Sequence, residues 1–209
     1  MEAIILAGGL GTRLQSRLQG RPKPLALING RPFLELLMDR LADNGCTRFL
    51  LSVGYKSETI IGYYGNRYGR IPIGYIVEDS PLGTGGAIRK ALECAVEPHV
   101  LVLNGDTFFK EDYRTMLELH CSSGATITVA AVHVEDMSRY GGMQLEEGRV
   151  VSFIEKGERR AGWINAGAYV LSRDFPWPEK LPSKFSFETE VLVPLLPRLK
   201  HSVFTSYEQ

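Results

Sequence analysis

Several features are scarce in this 209-residue chain, and each scarcity excludes a class of function. The three cysteines, Cys46, Cys94 and Cys121, are odd in number and widely spaced, which predicts free thiols in a reducing cytoplasm. The four histidines show no metal-ligand spacing with those cysteines, so we expect no zinc site. Basic and acidic residues are equal at 24 each, and without a basic excess we expect no nucleic-acid partner.

Long apolar runs are missing as well. No run approaches the ~20 residues of a membrane helix, and the first apolar segment is too short and too closely bounded by glycine for a signal peptide. An apolar fraction of 44% and a charged fraction of 23% are ordinary for a globular protein. The length suits one domain with a sizeable core, and we expect no membrane partner.

What the chain does have is an apolar strand that runs directly into a glycine-rich loop. Residues 3–6 are all apolar, as in a strand buried on both faces, and three glycines follow within 8–11. Glycines let the backbone approach an anion closely, and Arg13 and Lys23 add positive charge. This combination predicts a nucleoside triphosphate site, although the glycines alone are also typical of a tight turn.

The loop is neither of the two commoner phosphate-binding motifs. No Gly-Lys-Ser/Thr of a Walker A loop occurs near Gly8, and the third position of a dinucleotide fingerprint holds Leu14. The sequence G-G-x-G-T-R-L followed by P-K-P instead resembles the opening of the sugar-nucleotide pyrophosphorylases, also called nucleotidyltransferases. The resemblance implies that the loop and its arginine hold the triphosphate, while the lysine contacts the phosphates at the reacting centre. The residues that match the family's positions are Gly8, Gly9, Gly11, Thr12, Arg13 and Lys23. Leu6 and Ala7, directly before the loop, are also predicted to bind the nucleotide.

Strand and helix signals alternate after this loop. Apolar spacing predicts helices near 33–44, 56–64, 88–95 and 111–122, and strands near 49–53, 73–77, 99–103 and 125–133. Repeated β-α-β units predict an α/β fold with a doubly wound, mostly parallel, Rossmann-like sheet that binds ligand at the carboxyl ends of its strands. A hairpin over 142–155 and a strand at 162–171 predict a small antiparallel extension covering one end of that sheet. The resemblance implies a GT-A-like nucleotidyltransferase fold.

An Asn-Gly-Asp tripeptide at 104–106 follows the apolar strand at 99–103. An aspartate there can reach a hard cation held by phosphates, although the tripeptide by itself is typical of a turn. The resemblance implies that Asp106 ligates a catalytic Mg²⁺. Family members generally carry a second metal-binding aspartate near the C-terminus, and no such segment precedes Gln209. We expect either a truncated chain or a metal held by Asp106, phosphates and water.

Small and acidic residues over 78–87 have two interpretations. They form a helix entry, with Thr84 near the cap and glycines that allow close packing, or they form a pocket whose small residues admit a flat purine. An acidic side chain such as Glu78 would accept the N1–H and 2-amino groups of guanine. The resemblance implies that Gly83 and Thr84 lie against the base. The Gly-Gly-Ala that follows is most similar to the guanylyltransferase branch, which includes mannose- and heptose-1-phosphate enzymes.

Motifs in the second half complete the resemblance. Glu155-Lys156 alone is typical of a surface ion pair, but together with Gly141 and Asn165 it resembles the family's sugar-phosphate site. The resemblance implies that Lys156 holds the sugar's phosphate, that Glu155 and Asn165 bind hydroxyls, and that Gly141 makes room for the sugar. The family's usual proline after Glu-Lys is Gly157 here.

These observations predict a cytoplasmic nucleotidyltransferase that moves GMP from GTP to heptose or mannose 1-phosphate, with Mg²⁺ as cofactor. Arg13, Lys23 and Asp106 are the predicted catalytic residues; no general base is needed, because the attacking phosphate oxygen is already anionic. We expect one domain with a nucleotide-binding half (1–135) and a sugar-phosphate half (136–209), in a monomer or homodimer. Two alternatives stay open: a uridylyltransferase for an N-acetylated amino-sugar phosphate, and a non-catalytic nucleotide-binding regulatory module.

Overall fold

Strands and helices alternate along the chain much as the periodicity predicts. This computed structural model describes residues 1–9, 20–154, 157 and 159–207. Its strands are β1 (Glu2–Leu6), β2 (Leu27–Ile28), β3 (Arg31–Pro32), β4 (Arg48–Val53), β5 (Arg67–Tyr68), β6 (Ile71–Val77), β7 (His99–Asn104), β8 (Ile127–Val134), β9 (Gly142–Glu146), β10 (Arg149–Ile154), β11 (Gly162–Ser172) and β12 (His201–Tyr207). Its helices are α1 (Phe33–Asp43), α2 (Ser57–Tyr64), α3 (Gly83–Leu92) and α4 (Tyr113–Ser123), with shorter helical turns at Lys23–Leu25, Glu188–Leu192, Val193–Leu195 and Leu196–Arg198.

Ten strands form one sheet in the order β10-β9-β11-β7-β1-β4-β6-β5, with β8 beside β11 and β12 beside β8. The neighbours β7, β1, β4 and β6 are parallel, which confirms the predicted doubly wound, mostly parallel centre. Strands β9, β10 and β11 pair antiparallel, which confirms the antiparallel extension.

The extension does more than cover one end of the sheet. Strand β11 lies inside the sheet, antiparallel to both β7 and β8. Most of its residues are buried, so its backbone N–H and C=O groups need hydrogen-bond partners from a neighbouring strand on each side. The second half of the chain is thereby joined to the strand that leads to Asp106.

Alternate residues of β1 enter apolar clusters on opposite faces of the sheet. Ile5 packs with Leu37 and other residues of α1, whereas Ile4 packs with Ile88 of α3, and all of these side chains are fully buried. Burial on both faces fixes β1 at the centre, and the loop after it emerges at the carboxyl edge of the sheet.

Two features differ from the sequence predictions. Helix α3 begins at Gly83 and ends at Leu92, so the small residues over 83–87 form its first turn rather than preceding it. Strand β12, parallel to β8, was not predicted; His201 and Val203 are buried, but its alternating pattern includes too few apolar residues to stand out. The prolines at 194 and 197 coincide with the irregular helical turns of 188–198, because proline in a helix interior removes a backbone hydrogen bond.

Cys46 and His120 are buried, whereas Cys94 and Cys121 are exposed. All three cysteines are free, as predicted. His120 is fully buried; its Nδ1 lies 3.0 Å from Thr128 Oγ1 and its Nε2 lies 3.2 Å from His99 Nδ1. Burial, with a smaller contribution from His99, lowers the pKa of His120 to about 4. Within the described ranges, no helix has the length and apolar character needed to cross a bilayer.

Candidate active site

A cavity of about 360 Å³ opens at the carboxyl ends of β1, β6 and β7, where a doubly wound sheet binds its ligands. It brings together most of the residues predicted for the nucleotide: Leu6, Ala7, Gly8, Gly9, Lys23, Glu78, Gly83, Thr84 and Asp106. The remaining lining residues are Pro24, Pro81, Ala87, Asn104, Gly105 and Lys184.

Lys23 and Asp106 meet at one side of this cavity. The Lys23 ammonium donates to the Asp106 carboxylate, and the two side chains are 29% and 47% exposed. Gly105 holds Asp106 in place, because its N–H donates to the Leu6 carbonyl at 2.9 Å. A Cβ on Gly105 would lie 2.5 Å from that same carbonyl oxygen, so only glycine lets β7 end this close to β1.

Lys23 owes its position to a short helical turn. Residues Lys23–Leu25 form one 3₁₀ turn, in which Pro24 and Leu25 are buried while Lys23 is left half-buried at the cavity. A proline inside the first turn of a helix fits without loss of a hydrogen bond. The Pro-Lys-Pro sequence therefore presents a cation from a firmly anchored piece of backbone.

Glu78 lies directly against the glycine loop. Its Oε1 accepts from the Ser52 hydroxyl at 2.8 Å and its Oε2 accepts from the Leu82 N–H at 3.1 Å. A Cβ on Gly8 would lie 2.6 Å from Glu78 Oε1. A larger residue at position 8 would therefore displace the Glu78 carboxylate from its present place; each carboxylate oxygen can accept a further hydrogen bond.

Residues 183–187, here called the strap, cross the first turn of α3. Gly85 donates its N–H to the Phe185 carbonyl at 3.0 Å, and a Cβ on Gly85 would lie 2.2 Å from the Phe185 ring. A Cβ on Gly83 would lie 2.4 Å from the Phe185 carbonyl oxygen. Close packing therefore accounts for these glycines, and contact of Gly83 with a base stays a prediction.

The strap also brings Lys184 to the cavity, a residue that the sequence analysis missed. Lys184 is exposed and stands in an irregular segment between Pro182 and Phe185. No spacing in that segment signals a site. Only its packing on α3 reveals that Lys184 shares the cavity with Lys23.

Of the residues predicted to bind the sugar phosphate, the structure describes Gly141 and Asn165. Neither Gly141 nor Asn165 lines the cavity, although Asn165 lies on β11 two positions before Gly167, whose N–H it accepts at 2.9 Å. A Cβ on Gly141 would make only an ordinary contact, 3.5 Å from the Ile154 carbonyl oxygen. The predictions for Gly11, Thr12, Arg13, Glu155 and Lys156 fall outside the described residues.

Comparisons with known proteins identify the family of this chain. The sequence pattern of the family described as "Nucleotidyl transferase" matches residues 2–179. The chain belongs to this family. This nucleotidyl transferase is 45% identical over 192 residues to the D-glycero-alpha-D-manno-heptose 1-phosphate guanylyltransferase of Aneurinibacillus thermoaerophilus, covering 92% of this chain and 84% of the relative. It is 35% identical over 201 residues to the mannose-1-phosphate guanylyltransferase of Mycobacterium tuberculosis, covering 94% of this chain and 55% of that one.

Solved structures extend the likeness to three dimensions. HddC from Yersinia pseudotuberculosis, complexed with GMP-PN, superposes with a TM-score of 0.83 at 36% identity, over 98% of this chain and 90% of that one. A Bacillus anthracis protein proposed to be a glucose-1-phosphate thymidylyltransferase has a TM-score of 0.84 at 21% identity, over 99% of this chain and 87% of that one, and shows the shared fold alone. The predicted resemblance to nucleotidyltransferases, closest to the guanylyltransferase branch, is thus confirmed.

Proposed function

We propose that this nucleotidyl transferase is a cytoplasmic guanylyltransferase that converts GTP and heptose or mannose 1-phosphate into a GDP-sugar and pyrophosphate. The observation that carries the proposal is the convergence on one cavity of a glycine loop, two lysines and an aspartate. The names of the relatives supply the nucleotide and the two sugar candidates.

The proposed chemistry is an in-line displacement at phosphorus. An oxygen of the sugar's phosphate forms a bond to the α-phosphorus of GTP, and the bond from that phosphorus to the bridging oxygen breaks, so pyrophosphate leaves with the electron pair. The nucleophile is already an anion at neutral pH, and the described residues that line the cavity include no histidine or cysteine. The main obstacle is repulsion between two anions, which Lys23 and Lys184 are placed to reduce.

Asp106 fits the role of a magnesium ligand. Its carboxylate is about half exposed at the cavity, and a hard oxygen donor of this kind suits Mg²⁺. No cluster of three or more histidine, cysteine or acidic side chains suited to a metal occurs in the described ranges. Mg²⁺ is commonly held by one or two carboxylates with substrate phosphates and water, so a single aspartate is enough. When bound, the ion would neutralise charge on the phosphates.

Glu78 is our candidate for base selection. A carboxylate accepts hydrogen bonds, and guanine offers N1–H and 2-amino donors where adenine has an acceptor at N1. The bonds from Ser52 and Leu82 fix the orientation of the Glu78 carboxylate at the cavity wall. A fixed acceptor binds its ligand without further loss of side-chain entropy.

Thermal unfolding with GTP, ATP, UTP and dTTP tests the nucleotide. A ligand at 100 times its Kd stabilises by ~2.7 kcal/mol, which corresponds to a rise in Tm of roughly 5–10 °C for a protein of this size. We expect GTP with Mg²⁺ to give the largest rise, and Glu78→Gln to reduce the preference for GTP. Asp79→Asn, the same change at the exposed neighbouring carboxylate, is the matched control. A larger rise with UTP would favour the uridylyltransferase alternative and contradict the proposal.

A further inference from the structure

Three hydroxyl groups converge on one carboxylate between the two halves of the site. Glu188 Oε2 accepts from Thr84 Oγ1 at 2.8 Å and from Ser186 Oγ at 3.0 Å, and Glu188 Oε1 accepts from the Tyr169 hydroxyl at 3.2 Å. Glu188 is half-buried and belongs to neither predicted binding motif. Its partner Thr84 lines the nucleotide cavity, whereas Tyr169 leads to Asn165.

The direction of these hydrogen bonds is determined. A carboxylate only accepts, so the Tyr169 hydroxyl must donate to Glu188 and can only accept from its other neighbour. That neighbour is Asn165, whose Nδ2 lies 2.7 Å from the Tyr169 oxygen. Tyr169 is fully buried, and burial together with the Glu188 carboxylate raises its pKa well above the usual range, so it keeps its proton.

The orientation of the Asn165 amide follows from this order. Its Nδ2 faces Tyr169, and its Oδ1 accepts from the Gly167 N–H at 2.9 Å. An amide has two N–H groups and two lone pairs on oxygen, so one N–H and one lone pair stay available at a defined orientation. Thr84 is fixed from the opposite side, because its hydroxyl donates to Glu188 and accepts from the Phe187 N–H at 2.9 Å.

We propose that Glu188 is a positioning residue that orients Thr84 for the nucleotide and, through Tyr169, Asn165 for the sugar phosphate. This inference rests on the proposed function and on the sequence-based predictions that Thr84 contacts the nucleotide and Asn165 the sugar phosphate. Because one carboxylate holds both groups, disturbing it affects both substrates, whereas disturbing one branch affects one substrate.

Steady-state kinetics test whether Glu188 acts on both substrates. The substrates are GTP and whichever of mannose 1-phosphate and heptose 1-phosphate the wild-type protein converts. Tyr169→Phe removes the branch to Asn165 and should raise the KM for the sugar phosphate about 3–10-fold, since a hydrogen bond of this type is worth ~0.5–1.5 kcal/mol. Its KM for GTP should stay within twofold. Glu188→Gln keeps the shape, replaces an acceptor by a donor, and should raise both KM values.

The control variant is Ser186→Ala. It removes the hydroxyl that donates to Glu188 Oε2, the oxygen that also accepts from Thr84, and that accepts from the Thr189 N–H. The side chains of Thr84, Tyr169 and Asn165 stay unchanged. A purely structural network would lower the Tm of all three variants without separating the two KM values, and that result would overturn the inference. In the double variant of Tyr169 and Glu188, the two effects on the KM for sugar phosphate should not add, because both interrupt one chain.

The failure of the inference can be distinguished from failure of the proposed function. A wild-type protein that releases no pyrophosphate with GTP and either sugar phosphate overturns both. An active wild-type enzyme whose Tyr169→Phe variant shows unchanged or equally raised KM values overturns the positioning role of Glu188 alone.

Discussion

Replacing Gly85 by alanine distinguishes two roles for the small residues of α3: packing against the strap, residues 183–187, and contact with the nucleotide base. If Gly85 serves packing against the strap, the added methyl group destabilises the protein even without nucleotide. A Cβ there would lie 2.2 and 2.3 Å from carbons of the Phe185 ring and 3.0 Å from the Phe187 nitrogen. The ring is only 2% exposed and has little space into which it can move.

The expected magnitude follows from two opposing contributions. Overpacking of a filled site costs typically ~1–3 kcal/mol, and expulsion of the Phe185 ring would cost up to ~5 kcal/mol. Alanine gains ~0.5–1 kcal/mol over glycine in a helix interior. We therefore expect a net destabilisation of about 0.5–2 kcal/mol if the ring stays buried, which lowers Tm by roughly 1–8 °C in thermal unfolding.

Gly62→Ala is the matched control, because Gly62 also lies inside a helix and nothing lies within 4 Å of its added Cβ. This variant should be stabilised by ~0.5–1 kcal/mol. If Gly85→Ala were as stable as Gly62→Ala and instead showed only a raised KM for GTP, Gly85 would serve the base and our packing interpretation would be wrong.

The remaining predictions concern the metal ligand, a phosphate-binding lysine and two buried groups. Asp106→Ala should raise the Mg²⁺ concentration for half-maximal rate, whereas Lys23→Ala should lower kcat by ~10²–10³ with a modest change in KM; unchanged metal dependence in the first would exclude Asp106 as the ligand. The folded pKa of His120, about 4, lies below the unfolded value of ~6.5, so the unfolded state binds more protons between these values. Stability should fall by at most ~3 kcal/mol as pH drops from 6.5 to 4, and His120→Gln should remove this dependence in urea titrations; an unchanged slope would refute it. Glu2→Ala removes a fully buried carboxylate that pairs with the one-third-exposed Arg48 and accepts from the Val96 and Glu97 N–H groups. It should cost ~1–3 kcal/mol by the same titrations, and a cost below ~0.5 kcal/mol would refute this role.

The sequence is informative about the nucleotide half because its signals are local. A strand buried on both faces is recognisable as an unbroken apolar run, and parallel strands must present their carboxyl ends at one edge. The loop after β1, Glu78 after β6 and Asp106 after β7 were therefore predicted to lie together. Residues 7–9 of that loop line one cavity with Glu78 and Asp106.

The features that were missed depend on contacts between distant segments. The apolar pattern of β11 does not reveal that it lies between β7 and β8. Lys184 reaches the cavity only because the strap packs on glycines about a hundred positions earlier in the chain. Glu188 likewise has no motif, and its importance lies in hydrogen bonds to three side chains.

Pyrophosphate release is the measurement that tests the central claim most directly. The purified protein is incubated with Mg²⁺, GTP and either D-glycero-α-D-manno-heptose 1-phosphate or mannose 1-phosphate, and pyrophosphate and GDP-sugar are quantified together. We predict equal amounts of both products, dependent on the sugar phosphate and on Mg²⁺, and strongly reduced by Lys23→Ala. Tight binding of GTP without either product, for both sugars, would contradict guanylyl transfer and favour a non-catalytic nucleotide-binding module.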